Sequence, residues 1–141
     1  TTGVVTVSSA VVITGSQAEV TAALVTAGTL VVAATALATI SDSAGDSLTA
    51  TTLSAIGAKT SGVVTVSNAV VITGSQAEIT AALVTTASLV VAATALATIS
   101  DDAGDTIVAT LLSAIGAKTS GAVTVTNAIV ITGSQAEVTA A

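Results

Sequence analysis

Apolar positions along the chain fall into two textures, one alternating and one helical. Residues 4–8 and 11–14, then 30–33 and 37–40, are rich in Val, Ile and Thr, the side chains that pack well on a pleated surface, and they predict strands. Ser16-Gln-Ala-Glu19 has the spacing of a helix capping box. Behind it Val20, Ala23 and Leu24 fall at i, i+3 and i+4 as one narrow apolar stripe, so a helix is predicted from Ser16. A second helix is expected from about residue 43 to 56, with Leu48, Thr52, Ala55 and Ile56 on one side. Gly57 and Lys59 then stand where a closing glycine and a cation suit the negative end of a helix.

This pattern repeats. Gly3-Val-Val-Thr-Val-Ser returns at Gly62 and, as Gly-Ala-Val-Thr-Val-Thr, at Gly121, so the period is 59, and 49 of the 59 positions in 3–61 recur unchanged in 62–120. The domain organisation is therefore repeat 1 over 1–61, repeat 2 over 62–120 and a partial repeat 3 over 121–141. Each unit divides into coil A (3–28, 62–87 and 121–141) and coil B (29–61 and 88–120), each with two strands followed by a helix. The predicted fold is α/β, a repetitive βα solenoid with two strand-strand-helix coils per 59-residue repeat and parallel strand ladders; an all-β solenoid is the alternative. Helix axes cannot approach as closely as ladder strands, so curvature or superhelical twist is expected unless the helices of coils A and B point to different sides. With no atypical capping unit at either end, the chain reads as an excerpt of a longer array.

Composition narrows the function classes. The chain has no Phe, Tyr, Trp, Met, Cys, His or Pro, so Val, Leu, Ile and Ala must do all the packing, which suits a thin layered core. The mean hydropathy is +1.01, but the longest apolar stretches, 30–40 and 89–99, are broken by Thr and fall far short of the ~20 residues of a spanning helix. No membrane insertion is expected. A net charge of −6 with only Lys59 and Lys118 as cations excludes nucleic acid as a partner by simple electrostatics. Without His or Cys the chain offers no nucleophile–base set and no phosphate-binding loop, so it is read as no enzyme.

The acidic residues carry the candidate chemistry. Aligning coil A with coil B sets Glu19, Asp46, Glu78, Asp105 and Glu137 in one file of carboxylates, where like charges repel and cations relieve them. Asp42, Asp101 and Asp102, in Ser41-Asp-Ser-Ala-Gly-Asp46 and Ser100-Asp-Asp-Ala-Gly-Asp105, add oxygen ligands suited to a hard ion such as calcium. The competing reading is that these carboxylates cap helix amides. Thr6, Thr65 and Thr124, and likewise Thr14, Thr73 and Thr132, are expected to form hydroxyl ladders of the kind that serve ice binding, glycan attachment or lateral packing, or that simply face solvent. Asn68 and Asn127 are expected to stack at a turn.

Val-Thr-Val-Ser-Asn-Ala-Val-Val-Ile-Thr-Gly-Ser-Gln-Ala-Glu and Thr-Ile-Ser-Asp-Asp-Ala-Gly-Asp resemble the long Thr-, Ala-, Val- and Asp-rich repeat tracts of giant bacterial surface and secreted proteins, frequent in cyanobacteria and proteobacteria. The resemblance covers the whole chain and implies a surface layer, adhesin stalk or extracellular fibre, located outside the cell or on its surface and often calcium-dependent. The calcium nonapeptide of such proteins is absent here. The expected function is thus a self-associating structural repeat protein, with a binding module for ice, glycan or mineral as the alternative.

Overall fold

The computed structural model describes residues 3–26, 28 and 31–141. The first repeat contributes β1 (Val5–Thr6), β2 (Val12–Gly15), α1 (Gln17–Leu24), β3 (Val31–Val32), β4 (Leu37–Ile40), β5 (Ser47–Thr49) and α2 (Ala50–Gly57). The second gives β6 (Val64–Val66), β7 (Val71–Gly74), α3 (Gln76–Ile79) running on as a π-helical turn over Thr80–Val84, β8 (Val90–Val91), β9 (Leu96–Ile99), β10 (Thr106–Val108) and α4 (Ala109–Gly116). The third opens with β11 (Val123–Val125), β12 (Val130–Thr132) and α5 (Gln135–Ala140). The architecture is α/β, as the sequence predicts, and every ladder is parallel. Leu30, at the head of one predicted strand, lies outside the described residues.

Register sets the geometry. Val5 pairs with Val31 (an offset of 26 along the chain), Val12 with Leu37 (25), Ala38 with Val64 (26) and Leu48 with Ile72 (24). The second repeat reuses the same offsets in Val64–Val90, Val71–Leu96, Ala97–Val123 and Ile107–Ile131. The chain therefore returns over itself at offsets of 24 to 26, and one repeat, of period 59, makes about two and one third coils. Five strands and two helices per repeat give seven segments, three to a coil.

This corrects the expected two strand-strand-helix coils, because coil B holds three strands. The helix expected from 43 begins only at Ala50. Before it, Gly45 takes the left-handed conformation (φ 87°), Asp46 Oδ2 accepts from Ser43 N at 2.9 Å, and the resulting turn delivers Ser47-Leu48-Thr49 in the exposed–buried–exposed alternation of a strand. Leu48 and Ile107 thus serve a ladder. Leu53 and Ile56, with Leu112 and Ile115 in the copy, form the buried stripe of the second helix.

Because 59 is not a whole number of coils, each repeat advances the pattern by one side of a three-sided stack. Strands β2, β4, β6 and β8 form one continuous ladder and β5, β7, β9 and β11 another. β1 and β3 share a third side with β10 and β12, separated from them by α2 and α3. The turn after α2 lies on the turn after β3, where Ser61 N donates to Ala34 O at 2.8 Å, and α2 in turn packs beneath the helix of residues 76–84. α1 lies beneath β5, where the Gln17 side-chain amide donates to Thr49 O (3.0 Å) and accepts from Thr49 N (3.3 Å). A helix side chain thereby closes the open backbone edge of a ladder.

The core runs down the middle of the stack. Inward columns mix sizes, as in Ile13, Ala38, Val64 and Val90, or Leu48, Ile72, Ala97 and Val123, so a thin interior fills with aliphatic side chains alone. The capping-box helix falls where the sequence places it, with Val20 and Leu24 buried and Ala23 packed partly against them. Corners are tight. Thr60 Oγ1 donates to Ala36 O and accepts from Gly62 N, and a Cβ on Gly62 would collide with the Ala36 carbonyl. Gly57 is not the residue beyond a helix end but the last, buried residue of α2, and it is small because the Ser88 backbone sits on it.

Candidate functional site

Two features of the surface have the regularity a function needs: the acidic corners and the outward faces of the ladders. At the corners, Glu19, Glu78 and Glu137 each sit at the third position of a helix and close a complete capping box. Their carboxylates accept from the backbone N of Ser16 (2.8 Å), Ser75 (2.8 Å) and Ser134 (2.6 Å). Hydrogen bonds from the Ser16 backbone amide and hydroxyl hold the Glu19 carboxyl below its usual pKa, and those of Ser134 do the same for Glu137.

The aspartates cap across coils. Asp42 Oδ2 accepts from Gln17 N at 2.6 Å and Asp101 Oδ2 from Gln76 N at 2.6 Å, so in repeats 1 and 2 the first amide of the coil-A helix is satisfied by a carboxylate one coil further on. Asp46 and Asp105 accept from Ser43 N (2.9 Å) and Asp102 N (3.1 Å) within their own turns. Asp102 occupies an exposed position in its turn. Asn68 and Asn127 do not stack on each other; each donates through Nδ2 at 2.7 Å to a main-chain oxygen, of Asp42 and Asp101 respectively.

The expected single file of Glu19, Asp46, Glu78, Asp105 and Glu137 does not form. Val71 N donates to Asp46 O, so the next coil sets Val71 beside Asp46, whereas Glu78 lies on a different segment. Among the described residues no group of three or more acidic side chains converges as a metal cage. The geometry of Asp42, Asp46, Asp101, Asp105, Glu19, Glu78 and Glu137 is that of backbone capping.

The hydroxyl ladders exist in a different register from the one expected. Thr14 stacks with Thr39 and Thr65, and Thr49 with Thr73, Thr98 and Thr124, while Thr6, Thr65 and Thr124 lie on three separate ladders. Positions one period apart are one side of the stack apart, so equivalent positions of successive repeats cannot be rungs of one ladder. Two residues before Thr14, Thr39, Thr65, Thr73 and Thr98 stands an outward apolar side chain, whereas Ser47 and Ala122 hold that place before Thr49 and Thr124. Val12, Leu37, Val63 and Leu89 form a column with exposures of 60, 38, 40 and 36%. Sequence reasoning missed this column because an exposed Leu in a Val-Ile-Thr stretch carries no mark of which way it points. Its signal is the Val/Leu-x-Thr spacing at 12–14, 37–39, 63–65, 71–73, 96–98 and 130–132.

No protein-family model, no curated protein and no solved structure matches the chain. Among the described residues no helix is long and apolar enough to cross a membrane.

Proposed function

We propose that the chain is a structural repeat protein whose 59-residue units propagate a βα solenoid, building an extracellular filament, surface layer or adhesin stalk. The observation that carries this reading is the identity of the joints. The pairings that join repeat 1 to repeat 2, Ala38–Val64 and Leu48–Ile72, are repeated between repeat 2 and repeat 3 as Ala97–Val123 and Ile107–Ile131. A joint that reproduces its own acceptor surface extends without limit, and parallel ladders with close-packed aliphatic columns give a stiff rod. Regular acidic corners keep such rods hydrated outside the cell while their carboxylates secure the coil-A helices.

The testing measurement is cryo-electron microscopy of the native material. Two and one third coils at a strand spacing of about 4.8 Å advance the rod by about 11 Å per repeat with a turn of one side, and the full pattern returns after seven coils, about 34 Å. Layer lines at those spacings support the rod. Compact particles without axial periodicity refute it. The outward threonine ladders favour a second reading, a binding face for ice, glycan or mineral, which retardation of ice growth or retention on a crystalline polysaccharide by single, unassembled chains would support.

A further inference from the structure

The outward faces of the strand ladders carry no charge at all. The chain's ten charged side chains are Glu19, Asp42, Asp46, Lys59, Glu78, Asp101, Asp102, Asp105, Lys118 and Glu137, and every one lies in a helix, a turn or a corner. One four-stranded ladder instead presents the apolar column Val12, Leu37, Val63 and Leu89 beside Thr14, Thr39 and Thr65, and the other presents Val71 and Leu96, flanked by Ser47 and Ala122, beside Thr49, Thr73, Thr98 and Thr124. In a chain of net charge −6, repulsion opposes contact between copies at the acidic corners, whereas these faces carry no charge to oppose it.

Resting on the rod reading above, we infer that these faces are the lateral contact between rods, and that the occupant is a second copy of the same chain. A charged partner finds nothing to recognise there. A second stack has the same strand spacing, so its side-chain columns stay commensurate with these along their whole length, as facing identical sheets do when they interdigitate about 10 Å apart.

Area decides when the contact holds. The two four-stranded ladders overlap by repeat equivalence into a run of five strands, which two helices then interrupt on the same side of the stack. Five rungs about 4.8 Å apart and three residues wide give a patch of about 240 Å². A stable interface needs about 800 Å² per partner, so one run does not hold two rods together. Each side of the stack carries one run per three repeats, so about ten to twelve repeats bring enough runs onto one side, and joined weak contacts then act together. The helix pairs between runs fix the relative slide of neighbouring rods, and three equivalent sides give each rod three neighbours.

The test compares this 141-residue chain with arrays of three and twelve copies of residues 62–120 by sedimentation velocity, with electron microscopy of the longest. The inference expects the short forms to stay single at micromolar concentration and the twelve-repeat array to pair and bundle. Leu96→Lys in every copy should raise the bundling concentration at least tenfold, while Asp102→Lys at the corner, the control for added positive charge, should not. Should the lysine array lose its circular dichroism, Leu96→Thr tests the same column without charge and should weaken bundling in a folded rod. Twelve-repeat rods that stay single, or bundles insensitive to the Leu96 changes, overturn the lateral contact while leaving the rod intact. Arrays that form no rods at all overturn the rod reading instead. Single rods that adsorb to ice or a polysaccharide through this face also overturn self-docking.

Discussion

Replacing Gly57 and Gly116 separately by alanine tests whether coil stacking controls the fold, because the two glycines share one local sequence, Ser-Ala-Ile-Gly-Ala-Lys-Thr-Ser, and differ in what lies above them. Each closes a helix, α2 or α4, so intrinsic propensity favours alanine at both by up to about 1 kcal/mol. At Gly57 the new Cβ lands on the Ser88 carbonyl, 2.8 Å from its carbon and closer still to its oxygen. Ser88 is itself buried, and its hydroxyl donates to Ala82 O and Thr85 O, so that backbone does not move aside without breaking its own contacts. Overpacking of this kind costs about 1–3 kcal/mol and outweighs the propensity gain. At Gly116 nothing lies within 4 Å of the new methyl group. With a urea slope of about 2 kcal/mol per molar, the two variants should unfold with midpoints about 1 M apart, Gly57→Ala below the parent and Gly116→Ala at or above it. Urea titration followed by far-UV circular dichroism reads the difference. Equal shifts in the two variants would refute the argument that the helix end is clamped by the following coil.

Asp101→Ala should destabilise the fold by about 1–2 kcal/mol, since it strips the cap from the Gln76 amide, whereas Asp101→Asn keeps an acceptor oxygen and should lose less; equal losses would count against cross-coil capping. The Glu19 and Glu137 carboxyls are held below their ordinary value of 4.5, so their contribution to stability is present above that pH and is lost as pH falls through the lower folded value. Carbon-detected NMR titration should show both midpoints below 4.5, and Ser16→Ala should return that of Glu19 toward it. Chelation of calcium should leave the urea midpoint unchanged, because Asp42 and Asp46 are engaged by backbone amides; a clear drop on chelation would favour a bound metal.

Much of the local structure is legible in the residues themselves. The Ser-x-x-Glu boxes are complete at Ser16, Ser75 and Ser134, and the strand over Leu37–Ile40 falls at the expected bounds. These features depend on neighbours a few residues apart, and a linear pattern displays them. Ser47–Thr49 reads as helix in the sequence and folds as strand, because its three residues carry no decisive propensity. Their conformation is decided by the Gly45 turn before them and the Ile72 rung beside them.

By itself the sequence determined the 59-residue period, the aliphatic composition that confines the chain to a thin core, and the concentration of charge outside the strands. Only the tertiary structure decided that one coil closes at an offset of 24 to 26 along the chain. That length is the perimeter of a closed path, set by three segments and their corners meeting over the segment below, and no local window contains it. From the mismatch between perimeter and period come the turn of one side per repeat, the separation of Thr6, Thr65 and Thr124 onto different ladders, and the alignment of Leu37 with Val63 and Leu89 on one outward face.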